Sequence, residues 1–214
     1  MVQPVAYSDG KASLFEGGIR VAGLVEWPAR IKKGRVTGAI GCNSDYFFTA
    51  LAAAGIDYTS DRPVDGDNLM PVLTGLSEVR HKPLYFQYAG AEVVMTQKFK
   101  ALRIDEGSNR VAAMKQKNLP INQWVMFDMS RDVGETKDVA GEHPEILKKY
   151  VESHAKWNLS VRASHQGEDY GSEGAAYKGS NYRDKGLNPK KVKKSDDTEE
   201  TKKKKNSKKG AKKK

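Results

Sequence analysis

Lys11, Glu16, Gly17, Gly18 and Arg20 fall within a single short stretch, Lys11-Ala12-Ser13-Leu14-Phe15-Glu16-Gly17-Gly18-Ile19-Arg20-Val21. A cation followed by a glycine pair suits an oxyanion pocket, where a positive group aimed at developing negative charge in a dry site contributes about 3 kcal/mol to a transition state. The alternative for Lys11 is a solvated loop lysine. Glu16 and Arg20 suit bracing of the same loop through an ion pair or backbone hydrogen bonds, and Gly17-Gly18 permits close backbone approach.

Other residue types that could do chemistry are scattered. Cys42 is the single cysteine, which excludes an intrachain disulfide framework. No base is legible beside it, so it reads as a buried or inert thiol rather than a nucleophile. His81, His143, His154 and His165 show no metal-ligand spacing, and His154 falls on the apolar stripe of an expected helix. Asp65 and Asp67, in Asp65-Gly66-Asp67-Asn68, read as a turn, because the further oxygen ligands of a calcium loop are missing from the pattern.

The elements that must position these groups follow from periodicity. Residues 19–27, rich in β-branched and aromatic side chains and stopped by Pro28, predict a buried strand. Without neighbouring strands it would expose its edges and apolar faces. Ala29 to Gly38 is a basic loop. Ser44-Asp45 followed by good helix formers and Gly55 predicts a helix over 46–54 packed on a sheet. Pro63 to Gly75 is a loop with a short helical turn. Four short apolar runs, at 84–88, 92–95, 99–104 and 124–128, predict a small antiparallel sheet. A last helix opens at Glu142 and runs to about Leu159, with Ile146, Leu147, Tyr150, Val151, His154 and Trp157 forming a stripe that covers one sheet face.

Charge divides the chain sharply. From Arg183 onward there are fifteen Lys or Arg against five Asp or Glu, so the whole formal excess of +10 lies in the tail and the body is neutral. The tail keeps no apolar periodicity and cannot bury enough surface to offset its conformational entropy, which predicts disorder there. The expected organisation is therefore 1–80, 81–162 and a basic tail over 163–214. No stretch reaches the roughly 18–20 apolar residues of a bilayer span, and no signal-peptide pattern opens the sequence.

Read together, these residues resemble the carboxy-terminal portion of a sulfatase, in the alkaline-phosphatase-like superfamily. Lys11, Phe15, Glu16, Gly17, Gly18 and Arg20 match in order a Lys-x-x-x-aromatic-Glu-Gly-Gly-x-Arg segment that precedes a strand ending in Trp-Pro, here Trp27-Pro28. Asp45 to Gly55 is similar to a family helix that ends in Ala-Gly, with Phe48 where a proline is common. Asp65-Gly66-Asp67-Asn68-Leu69 with Pro71 to Gly75 resembles Asp-Gly-x-Ser-Leu-x-Pro-x-Leu-x-Gly. Phe127-Asp128-Met129 with Asp132 and Glu135 resembles Tyr-Asp-Leu-x-x-Asp-Pro-x-Glu, with Val133 in place of the proline.

The resemblance implies an α/β fold in which part of the large sulfatase sheet leads into a small antiparallel sheet with a packing helix. It also implies sulfuric ester hydrolysis by a formylglycine, made from a Cys/Ser-x-Pro-x-Arg motif, beside a calcium ion. That motif is absent, since Cys42 is followed by Asn43-Ser44-Asp45-Tyr46. The family's calcium ligands have no counterpart here either, and Ser8-Asp9-Gly10 reads as a plain turn. Nucleophile and metal site are expected upstream, in a full-length parent of a family often exported. Lys11 alone carries over in a chemical role, binding the sulfate or stabilising charge on the ester oxygen. The expectation is a sulfatase fragment inactive by itself, with a sulfate ester as the parent's substrate. The alternative is a non-catalytic protein that binds polyanions through Lys202–Lys214 by counterion release.

Overall fold

The structure is a computed structural model that describes residues 7–31 and 33–169. The lysine-rich tail, with the disorder and polyanion contact expected of it, lies outside the described residues.

The sheet follows from four short apolar runs joined by tight connections. Strands β1 (Leu84–Tyr88), β2 (Ala91–Met95), β3 (Phe99–Ile104) and β4 (Trp124–Asp128) form an antiparallel meander in chain order. Register places Met95 opposite Lys100 and Lys100 opposite Phe127. Alternation therefore sends Lys100, Leu102 and Ile104 to one face and Phe99, Ala101 and Arg103 to the other. Both faces of β2 and β3 are covered, so these strands read as nearly unbroken apolar runs.

Helix α5 (Pro144–His165) covers the second face with the expected stripe. Ile146, Leu147 and Tyr150 pack against Phe99, Met126 and Val139. The Tyr150 hydroxyl lies 2.6 Å from Thr96 Oγ1, and Trp157 stacks on Tyr85 at 5.4 Å. The helix runs past the expected end at Leu159. Beside β4, Asp138 Oδ1 accepts the Met126 amide at 2.9 Å and Met126 O accepts the Val139 amide at 2.8 Å. That pairing blunts an edge that would otherwise be open to other strands.

The first face carries the main core, where Leu102, Ile104, Val125 and Phe127 meet Leu14, Phe15, Met114 and Leu119. Met114 comes from α4 (Val111–Gln116), a helix not foreseen from the sequence because its six residues bury only that one side chain. The amino-terminal segment contributes α1 (Glu16–Ile19) and so places the Lys11–Arg20 stretch directly on the sheet.

Two expectations need correction. Residues 20–27 carry no strand and pair with no ladder, leaving Val21, Leu24 and Val25 at 87%, 96% and 56% exposure. Strand propensity alone does not form a strand, because the backbone needs a hydrogen-bonding neighbour. Helix α2 (Asp45–Ala53) forms nearly where expected, but it packs on α3 (Met70–Leu73) rather than on the sheet. Its end is closed as the glycine signal predicts, with the Ile56 amide donating to Leu51 O at 2.9 Å and the Gly55 amide to Ala52 O at 3.2 Å. At its start the Ser44 side chain makes no capping hydrogen bond to the helix, and Asp45 Oδ2 instead accepts the Cys42 amide at 2.9 Å.

Candidate functional site

Lys11 sits on an exposed turn that ends in the buried Ser13-Leu14-Phe15-Glu16 anchor. Among the described residues its ammonium has no hydrogen-bond or ion-pair partner, whereas its carbonyl accepts Arg110 Nη2 at 2.8 Å. The turn is compact because the glycine pair lets backbone lie on backbone. A Cβ on Gly17 would stand 2.3 Å from Asp9 O, and one on Gly18 would stand 2.2 Å from Ser13 O. The expected close approach is thus real, and no side chain fits at either position.

Beneath the turn lies a cluster of charges. Lys100 Nζ donates to Glu16 Oε1 at 3.0 Å and approaches Glu135 Oε1 at 2.7 Å. The second contact is an ion pair lying off the hydrogen-bond direction. The other Glu135 oxygen, Oε2, accepts the Glu16 amide at 2.8 Å. Arg20 Nη1 reaches Glu16 Oε2 at 3.1 Å from the surface, the ion pair expected from the sequence. Glu16, Lys100 and Glu135 are all at most 2% exposed. Burial pushes the Glu135 carboxyl above its ordinary value, with Lys100 opposing that shift. Glu135 holds a left-handed backbone, φ 53°, and Lys117 Nζ secures it by donating to Gly134 O at 2.8 Å and Glu135 O at 3.0 Å. Ser8 Oγ also donates to Gly134 O, closing the strap between the turn and the loop after β4.

A second buried ion pair organises the segment between the turn and the sheet. Arg80 donates to Asp45 through Nε at 3.0 Å and Nη2 at 2.6 Å. Burial raises the Asp45 carboxyl, but Arg80 and the amides of Cys42 and Asp67 outweigh it and hold the group below its ordinary value.

Most other residues singled out from the sequence have structural duties. Asp9 pairs with Arg110 at 3.3 Å. Asp65 Oδ1 accepts Trp157 Nε1 at 3.0 Å, and Asp67 Oδ2 accepts the amides of His81 and Lys82 at 2.9 and 3.1 Å. Cys42 is half-buried with its sulfur 2.9 Å from Ser44 Oγ. His154 is buried on the sheet face of α5, 5.1 Å from the Trp124 ring, and burial lowers its pKa. His81, His143 and His165 do not converge. Among the described residues no group of three or more His, Cys, Asp or Glu side chains could hold a metal ion. The residues present therefore do not fit a calcium centre, and Cys42 does not fit the formylglycine position.

Residues 7–159 match the family described as N-sulphoglucosamine sulphohydrolase, C-terminal. The chain belongs to this sulfatase family. An 85-residue stretch of the sulfatase domain is 41% identical to steryl-sulfatase of Rattus norvegicus, covering 40% of this chain and 15% of that protein. A 77-residue stretch is 39% identical to N-acetylgalactosamine-6-sulfatase of Canis lupus familiaris, covering 36% of this chain and 15% of that one. The chain thus spans about 15% of the length of these curated relatives. In fold it is similar to a solved Bacteroides thetaiotaomicron protein, described under metabolism of multiple glycosaminoglycans, with a TM-score of 0.57 and 20% identity over 72% of this chain and 32% of that one.

Lys100 of the sulfatase domain escaped sequence reasoning because one lysine in Phe99-Lys100-Ala101-Leu102-Arg103-Ile104 looks solvent-facing. The β-alternation that pairs it with Leu102 was the available signal. Glu135 appeared only as a motif position, with no hint that it meets Glu16. No helix among the described residues is long and apolar enough to cross a membrane.

Proposed function

We propose that this chain is the rear part of a sulfuric ester hydrolase and that Lys11 presents its ammonium to the sulfuryl group of the substrate. The observation that carries the reading is the Lys11 turn itself: an exposed lysine whose ammonium has no partner among the described residues, on a turn packed against a glycine pair that admits no side chain, inside a segment matching a sulfatase family. An ammonium presented there neutralises charge on the non-bridging or leaving oxygen of a sulfate ester as the sulfur–oxygen bond breaks. Attack on sulfur in this family is supplied by formylglycine and calcium, so this chain alone is inactive. The substrate class is a sulfate ester, in keeping with the names of the steryl and N-acetylgalactosamine-6-sulfatase relatives.

The test is turnover of a chromogenic aryl sulfate by this chain and by a version extended upstream, with bound calcium measured in both. Activity confined to the extended form, and reduced at least about a hundredfold by Lys11→Ala, supports the reading. Turnover by the chain alone, or an unaffected Lys11→Ala enzyme, overturns it.

A second reading rests on the concentration of positive charge beyond Arg183. Through Lys202–Lys214 the chain would bind acidic polymers by counterion release, with affinity falling steeply in salt. Deleting 183–214 abolishes salt-sensitive heparin retention if that is so, and leaves retention unchanged if the tail only solubilises.

A further inference from the structure

The turn that carries Lys11 is held by one guanidinium from far along the chain. Arg110, at the start of α4, donates through Nη2 to Lys11 O at 2.8 Å, through Nε to Ala12 O at 3.0 Å and through Nη1 to Asp9 Oδ1 at 3.3 Å. Two residues under this fork, Asp9 and Ala12, have left-handed φ of 57° and 63°. Residues with a Cβ persist there only when their surroundings impose it. The fork supplies that imposition: one rigid plane meets two carbonyls and a carboxylate at once, which a lysine ammonium on a flexible stem cannot do. The base of the fork is fixed as well, since Met114 on α4 is fully buried and Lys117 just past that helix holds Gly134 and Glu135.

We infer that Arg110 is a positioning residue for Lys11, so that α4 sets where the ammonium stands. Its consequence for turnover rests on the role proposed above for Lys11; the clamp itself does not.

Two measurements separate these. In the full chain, trypsin cleavage after Lys11 is followed by mass spectrometry, with cleavage after Lys100, fully buried within β3, as the gauge of global opening. Arg110→Gln raises the rate after Lys11 about tenfold or more while the Lys100 rate stays put, because local opening is released without unfolding. Arg110→Lys falls between. An unchanged Lys11 rate, or equal rises at both bonds, overturns the clamp. In the upstream-extended enzyme, Arg110→Gln lowers kcat about tenfold with KM within about twofold. Added to Lys11→Ala, it costs nothing more, because it acts through that residue. Losses that multiply overturn the positioning role. Full turnover by Lys11→Ala alone instead refutes the role of Lys11, and the cleavage result still decides the clamp.

Discussion

Replacing Lys100 by methionine keeps the length of the side chain and removes the only ammonium among the described residues that reaches both Glu16 and Glu135. Its contacts are 3.0 and 2.7 Å, and at an effective dielectric of about 20 each attraction is worth roughly 5–6 kcal/mol before desolvation. The net effect is smaller, since the variant no longer buries an ammonium and Arg20 still reaches Glu16 from a half-exposed position. Stranding a buried charge typically costs about 3–5 kcal/mol, a large share of the roughly 5–15 kcal/mol that holds a domain together. The penalty depends on pH with a definite sign. Burial already raises Glu135 above its ordinary 4.5, and a carboxyl raised in the fold favours the native state below its unfolded value and loses that advantage as pH rises through the folded one. Loss of Lys100 raises it further. The difference between variant and parent, measured by urea unfolding with tryptophan fluorescence, is therefore largest at pH 7 and shrinks as pH falls toward about 4.5. Adding Glu135→Gln to Lys100→Met restores part of the loss at neutral pH. A loss under about 1 kcal/mol at pH 7, or one equal at both ends of the range, would refute a buried, charged Glu16–Lys100–Glu135 cluster.

Four further outcomes follow from the same packing. Arg80→Met strands the fully buried Asp45 and destabilises by about 3–5 kcal/mol at pH 7 in urea unfolding. Because Asp45 is held below its ordinary 3.8, its contribution is present above that value and is lost as pH falls through the folded pKa, so Asp45→Asn flattens the acid limb of the stability curve. Gly17→Ala drives a methyl against Asp9 O, and calorimetry should register a loss of about 1–3 kcal/mol. His154, lowered by burial, favours the fold when neutral; its contribution is lost as pH falls from 6.5 through its folded pKa, and His154→Phe should remove that dependence.

The four strands were legible because each is a short apolar run bounded by turn residues, and β3 falls on the very residues expected, Phe99–Ile104. The stripe of α5 was legible by the same logic, although its last turn, to His165, lacks apolar periodicity and was missed. Residues 20–27 show the opposite failure, since their composition suits a strand but they pair with no strand among the described residues. Of the site, the lysine, the glycine pair and the Glu16–Arg20 brace could be read directly, being neighbours in sequence. The supports could not: Glu16 meets Lys100 across 84 positions and Glu135 across 119.

Local chemistry thus determined where the backbone turns, which runs are able to become strands and which loop presents a cation, because backbone sterics and side-chain periodicity act over a few residues. Tertiary structure alone decided which charges are buried together. An isolated lysine inside the sheet would be prohibitive, and it is tolerated only because the meander and α1 bring two carboxylates to its ammonium from opposite ends of the domain.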